Sequence, residues 1–393
     1  MYDQIREDTL YIMLYGVVTA MAMIASCYLL FRRANAIAPN VTSSVRLRRW
    51  TGLFFASTVL NHVWYMPIFF LSSSEDIVMT DLIGGLLDFM TVFPLAIIVL
   101  FVMLQDRRRP LWPVAVMMAP LVAGGAWSVA TRSYAHQSIV YAYFLLMCIG
   151  LVIYFVRALR QYGRWLRDNY ADLEHKEVWQ SFVVLAIILL VFGIYALIDR
   201  GVVYQYAMLI GFAVMIGYLL WRVETLSDLS ISQQQDLPIE TEADSLAIQT
   251  GTTKDEDNAL SQSIRNRSAS PLGFSKNIEP LLKQYCEEPL FYLQYDISIS
   301  RLAKEIGVNR FYLSQYFSSQ GMTYNEYIND LRINHFISLY HEAIATHRIF
   351  SAQQLAQESG YRSYSTFNSV VKRKTGKSVT AWMKTLNDGL GES

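Results

Sequence analysis

Hydrophobic positions divide this 393-residue chain in two. Before Thr225 they form long runs separated by short polar stretches. A helix needs roughly 20 mainly apolar residues to cross about 30 Å of hydrocarbon. Seven runs meet that length: 10–31, 50–71, 82–104, 111–129, 138–156, 178–198 and 202–221. The last two are separated only by Asp199, Arg200 and Gly201, and a merged hairpin there would give six spans instead of seven. Residues 226–275 are polar and acidic in their middle, a composition that cannot bury enough surface to fold alone. They are expected to be a flexible linker, with Val223, Leu226 and Leu229 spaced to continue the last span as a short helical stalk. From 276 to 393 the apolar positions fall into short amphipathic stripes typical of a helical soluble domain. The expected fold class is all-α: a seven-helix transmembrane bundle followed by a small helical domain.

Charge orients the spans. Arg and Lys concentrate in alternate loops: Arg32, Arg33, Arg46, Arg48 and Arg49 after the first run; Arg107, Arg108 and Arg109 after the third; Arg157, Arg160, Arg164, Arg167 and Lys176 after the fifth. The opposite loops hold at most one each. Basic loops stay in the cytoplasm, so the N-terminus is expected outside, the C-terminal domain in the cytoplasm, and the protein in the cytoplasmic (inner) membrane. The first run has no small-residue cleavage site behind it and is expected to remain as an anchor. Only 17% of residues are charged and the net charge is zero, against about 25% charged in an average soluble domain. Three scattered cysteines form neither a disulfide framework nor a metal site. No zincin, nucleophile-elbow or phosphate-loop motif is present, and no broken-helix repeat of the transporter kind. The sequence therefore calls for no catalysis, metal or cofactor.

Four polar groups lie inside the second and third runs: Asn61, His62 and Tyr65 in "LNHVWYMP" and Asp88 in "LLDFMTVFP". Polar side chains within a span either hold helices together or mark function. These four share the outer half of two neighbouring helices, with Pro67 and Pro94 positioned to kink them. They are the candidate signal pocket, and a His62–Asp88 pair there would respond to pH. The Gly84-Gly85 and Gly124-Gly125 pairs are expected to permit close packing.

In the C-terminal domain, "ISRLAKEIGVNRFYLSQYF" places Ile299, Leu302, Ala303 and Ile306 on one helical face, with Gly307 as a stop and Asn309 as the next N-cap. Leu313 and Phe317 are the inward residues of the following helix. Helix, Gly-containing turn, helix is the helix-turn-helix pattern, and it occurs twice. Leu302-Ala303 and Gly307 correspond to Leu355-Ala356 and Gly360, and Leu313 and Phe317 to Phe367 and Val371. A glycine and then an aromatic follow each unit: Gly321 and Tyr327, Gly376 and Trp382. A long helix, "YNEYINDLRINHFISLYHEAI", joins the units, which span about 299–318 and 351–373.

This arrangement resembles the AraC/XylS family of bacterial transcription regulators over about 110 residues, Asn277 to Leu386. The resemblance implies a DNA-binding domain that sets two recognition helices in successive major grooves of promoter DNA. Carried onto this chain, the base-contact candidates are Arg310, Phe311, Ser314 and Gln315 in the first unit. In the second they are Tyr364, Ser365, Asn368 and Ser369. Lys372, Arg373, Lys374 and Lys377 suit phosphates, whose contacts set register rather than sequence. The family often has Arg at Gln315 and Ser369, an aromatic at Val371, Pro at Val379 and Ala at Phe336. The domain carries 13 Lys and Arg against 11 Asp and Glu, so one copy is expected to bind weakly and a homodimer to compensate. RNA polymerase is a further expected partner.

The functional expectation is a membrane-embedded one-component transcription regulator that senses an extracytoplasmic or bilayer signal. Two alternatives compete with it. One is a tethered regulator released by proteolysis. The other is a transporter or channel whose C-terminal domain is a protein-interaction module. The signal, the operator and the sign of regulation are not written in the sequence.

Overall fold

The computed structural model describes residues 8–39, 41–71, 73–184, 186–187, 202–229 and 278–390. Every described element is helical, apart from isolated antiparallel bridges joining Ser43 to Ser227 and Tyr170 to Ser298. The chain divides into two compact units. The first comprises Met1–Gly163 and His175–Ile231; the second comprises Arg164–Glu174 and Ser232–Ser393. The stretch Arg164–Glu174, read from sequence as part of a basic loop, thus belongs to the C-terminal unit.

The first unit contains α1 (Thr9–Phe31), α2 (Val45–Tyr65), α3 (Ser74–Leu87), α4 (Phe93–Met103), α5 (Trp112–Thr131), most of α6 (Gln137–Asn169) and α7 (Val202–Thr225). Its α1 packs on α2 and α7, and α3 packs on α5. Five helices among the described residues are long and apolar enough to cross a membrane: Thr9–Phe31, Ser74–Met103, Trp112–Thr131, Ser138–Asn169 and Gln205–Thr225. The expected second span falls short. It lies in α2, where Arg48, Arg49, Asn61 and His62 dilute the apolar residues, and the helix ends at Tyr65 in a 3-10 turn, Met66–Phe69, that contains Pro67. Most of the expected sixth span, 178–198, lies outside the described residues, as does the linker from 230 onward.

Other boundaries move for physical reasons. The third expected span begins eight residues earlier, at Ser74, because Ser73 caps the helix and Glu75 and Asp76 suit its positive N-terminal end. It is not one regular helix: Asp88–Val92 form a π-turn between α3 and α4. Pro94 has no N–H to donate to the preceding turn, and the ladder widens there. α6 continues to Asn169 because its buried positions keep helical spacing beyond the apolar run, at Phe155, Ala158, Tyr162 and Leu166. The helical stalk is not observed. α7 stops at Thr225, and Leu226 and Leu229 are buried within the first unit. The Gln105 side chain holds them in place, donating to the Ser227 carbonyl and accepting from the Leu229 N–H. Of the paired glycines, Gly84 is needed most: a Cβ there would sit 2.3 Å from the Tyr65 ring.

The second unit contains α8 (Ile299–Ile306), α9 (Arg310–Ser319), α10 (Tyr324–Ala345), α11 (Ala352–Glu358), α12 (Tyr364–Thr375) and α13 (Val379–Leu390). Each of the first five starts at a residue whose side chain accepts from the first turn: Ser298, Asn309, Thr323, Ser351 and Ser363. Thr323 and Glu326 form a reciprocal capping box. The backbone N–H of Thr323 holds the Glu326 carboxyl below its ordinary value, so the box is intact at neutral pH and weakens as acid protonates it. Two cores form, one per helix-turn-helix, with α10 contributing to both. Phe336 is fully buried, 4.6 Å from the Phe367 ring centroid and 5.6 Å from that of Trp382.

The turn glycines differ in tolerance. Gly307 (φ +77°) faces open space, whereas a Cβ on Gly360 (φ +87°) would lie 2.8 Å from the Cα and carbonyl oxygen of Leu293. Left-handed backbone costs a non-glycine residue roughly 1–3 kcal/mol. Gly307→Ala should cost about that, and Gly360→Ala should cost more because backbone must also shift. Thermal unfolding of the two variants side by side checks the order.

Candidate nucleic-acid interface and polar pocket

The two helices expected to read DNA are present where the repeat placed them. In α9, Leu313 and Phe317 are buried, Phe311 and Gln315 are exposed, and Arg310 and Ser314 are half-buried. In α12, Phe367 and Val371 are buried, Tyr364, Ser365 and Ser369 are exposed, and Asn368 is half-buried. The eight base-contact candidates thus lie opposite or beside the core face. Of the basic run, Arg373 donates to Asn325 Oδ1 at 3.0 Å and Lys374 pairs with Asp330 at 2.6 Å, while Lys372 and Lys377 are exposed. Cys286, in the first core, is wholly buried, and burial pushes its thiol up to about 12. It is therefore an inert hydrophobe.

The strap Arg164–Glu174 reaches both helix-turn-helix units. Its centre is Asp172, 5% exposed, facing Arg332 of α10, which is fully buried. The guanidinium spans the carboxylate at 2.6 and 3.2 Å and also donates to the carbonyls of Tyr292 and Gln294, each at 2.8 Å. Asp172 takes a further bond from the Asp296 N–H at 2.9 Å. The Ala171 N–H donates to the Ile297 carbonyl at 3.1 Å, and Asn325 donates to the carbonyls of Tyr170 and Ala171. Asn169 and Glu174 of the strap meet the starts of α9 and α12. Asn169 accepts from Arg310, the first residue of α9. Glu174 accepts from the hydroxyls of Ser363 at 2.8 Å and Thr366 at 2.7 Å, at the start of α12. A carboxylate at a helix N-terminus occupies the kind of place that also attracts phosphate.

In the first unit, Asn61, His62, Tyr65 and Asp88 all line one cavity of about 380 Å³, together with residues of α1 and α7. Asp88 accepts from Asn61 Nδ2 at 2.6 Å and from the Tyr65 hydroxyl at 3.2 Å. The expected His62–Asp88 pair is not what forms. The His62 ring lies 3.1 Å from the Thr19 hydroxyl and stacks on Tyr15, so the two titratable groups have separate partners. Asp88 opens the π-turn, and the Phe93 N–H bonds back to its carbonyl five residues earlier. Such turns recur at functional sites.

Two clusters were missed by sequence reasoning. One is the strap, visible in sequence only as the acid-containing "DNYADLE" inside a basic loop. The other is Glu224 at the end of α7, fully buried and held by Tyr28, the Ala36 and Ile37 N–H groups and, at 3.8 Å, Arg48. A carboxylate directly after the last apolar run was its only signal.

Residues 302–385 match the family model described as a helix-turn-helix domain, which is about a fifth of the chain. The matched segment runs from within α8 into α13, so it takes in both units and supports the resemblance to AraC-type regulators. No curated protein and no solved structure matches the chain. The C-terminal region is a helix-turn-helix domain of the DNA-binding kind.

Proposed function

We propose that this protein is a membrane-embedded transcription regulator whose DNA-binding domain is restrained by its own cytoplasmic strap. The observation that carries the reading is the tandem helix-turn-helix in one chain with apolar helices of spanning length. The surface of the first unit supports embedding. Leu10, Ile24, Ile139, Leu146 and Val152 are each more than 60% exposed, while Thr51, Thr58 and Asn61 are buried. A helix bundle with apolar side chains outside and polar ones inside suits lipid. Exposed Trp64, Trp112, Trp127 and Trp221 lie near helix ends, as at membrane interfaces.

On DNA, Arg310, Gln315 and Asn368 would pair with base edges, alongside Phe311, Ser314, Tyr364, Ser365 and Ser369. Lys372 and Lys377 would meet phosphates at once; Arg373 and Lys374 would exchange their protein partners for them. Strap docking and DNA binding compete in this reading. Glu174 holds the α12 N-terminus where a phosphate would bind, and Asn169 holds Arg310. α6 runs directly into the strap, and α7 lines the polar cavity before it leads to Glu224. Either helix could carry a signal to the domain. A signal shifts the equilibrium only if it favours one state, here strap-docked or strap-free. Two copies in one membrane would supply the homodimer that promoter sites require.

Immunoblots of fractionated cells test the embedding. Full-length protein is expected in the membrane fraction alone. A stable soluble fragment of about the C-terminal third would replace tethered regulation by proteolytic release. Soluble full-length protein would refute the reading.

A further inference from the structure

We infer that the cavity between α1, α2, α3 and α7 binds a small organic molecule carrying a protonated amine. The inference rests on the reading of the first unit as a sensor and names the chemistry of what it senses.

The lining decides the charge. Two carboxylates, Asp81 and Asp88, face the cavity, and among the described residues that line it there is no Lys or Arg. Asp88 takes two hydrogen bonds, from Asn61 and Tyr65, about half of what a carboxylate can accept. Asn61 is 2% exposed, and with its amide nitrogen committed to Asp88, its Oδ1 has no partner. An ammonium group supplies N–H donors and charge to Asp88 together; an anion or a plain hydrocarbon supplies neither.

Five aromatic rings line much of the rest, Tyr11, Tyr15, Tyr65, Phe69 and Phe212, beside His62 and several aliphatic side chains. Aromatic faces attract cations, more so when water is excluded. They also pack an apolar body. A volume of about 380 Å³ is at the small end of ligand sites, which hold roughly 300–1,000 Å³. Asp88 opens the π-turn, and Gly84, about one turn earlier, leaves room for the Tyr65 ring whose hydroxyl bonds that carboxylate.

The test uses full-length protein in nanodiscs and three probes sharing one body: 2-phenylethylamine, 2-phenylethanol and 3-phenylpropionate. Calorimetry should show the amine binding at least tenfold tighter than the alcohol and no binding of the carboxylate. Asp88→Asn, nearly isosteric, should reduce amine affinity at least tenfold. Equal binding of all three probes, preference for the carboxylate, no binding of the amine, or an amine affinity unchanged in Asp88→Asn would each overturn the proposal. The comparison among probes needs only the natural protein, so it stands if the variant misfolds. The readout involves no DNA. Amine binding without any change in DNA occupancy would support this site and count against the sensor reading. Regulated DNA occupancy without amine binding would do the reverse.

Discussion

Asp172→Ala should strongly destabilise the C-terminal unit, although Asp172 lies more than a hundred residues before that domain begins. It would leave Arg332, fully buried, with two carbonyl acceptors and no counter-ion. Removing one partner of a buried ion pair costs roughly 3–5 kcal/mol, because the other charge stays in a medium that solvates it poorly. Arg332→Ala should cost a similar amount. The double variant should cost clearly less than the sum, since each single change removes the same interaction. Hydrogen exchange on full-length protein reads this directly. Peptides covering α10 should lose protection in both single variants. Unchanged protection in Asp172→Ala would show that the strap is not part of this core.

Glu174→Gln combined with Asn169→Ala should tighten DNA binding. These residues touch the first turns of the two recognition helices and not the core. A hydrogen bond to a charged group contributes roughly 1.5–3 kcal/mol. Glu174 is half-buried, so solvent screening places it at the lower end, and about 1.4 kcal/mol is tenfold in affinity. Anisotropy titrations of a fixed duplex at fixed salt should therefore give on the order of tenfold tighter binding by the double variant. Equal or weaker binding would mean that the strap supports the DNA-binding conformation instead of competing with DNA. Salt must be held constant, because phosphate contacts make affinity fall steeply as it rises.

Local rules carried most of what could be read in advance. Gly307, Gly360, Asn309 and the inward Leu313 and Phe317 mark the helix-turn-helix units because caps, left-handed turns and i,i+4 burial act within a few residues. The pocket residues were legible for a related reason: Asn61 and Asp88 lie on consecutive helices, where a short connection forces neighbours together. What failed to show was non-local. Arg332 sits in an amphipathic helix, and only the fold pairs it with a side chain 160 residues earlier. The His62–Asp88 pair failed because residues adjacent in sequence on α2 face different partners. The π-turn was half-visible: Pro94 announced an irregularity but not that Asp88 would open it. The second expected span is not among the five helices of spanning length and composition, because α2 begins at Val45 and takes in arginines that the apolar run had left to the loop.

The central claim, that this chain reads promoter DNA from the membrane, is met most directly by a genome-wide occupancy map of the full-length protein. The comparison is an Arg310→Ala/Gln315→Ala/Asn368→Ala variant matched for amount in the membrane fraction. Each bidentate base contact is worth roughly 1–3 kcal/mol of discrimination, so losing all three should erase site-specific occupancy. The account predicts discrete promoter sites for the natural protein and their loss in the variant. The absence of enriched sites for the natural protein, or the same sites in both, would contradict it.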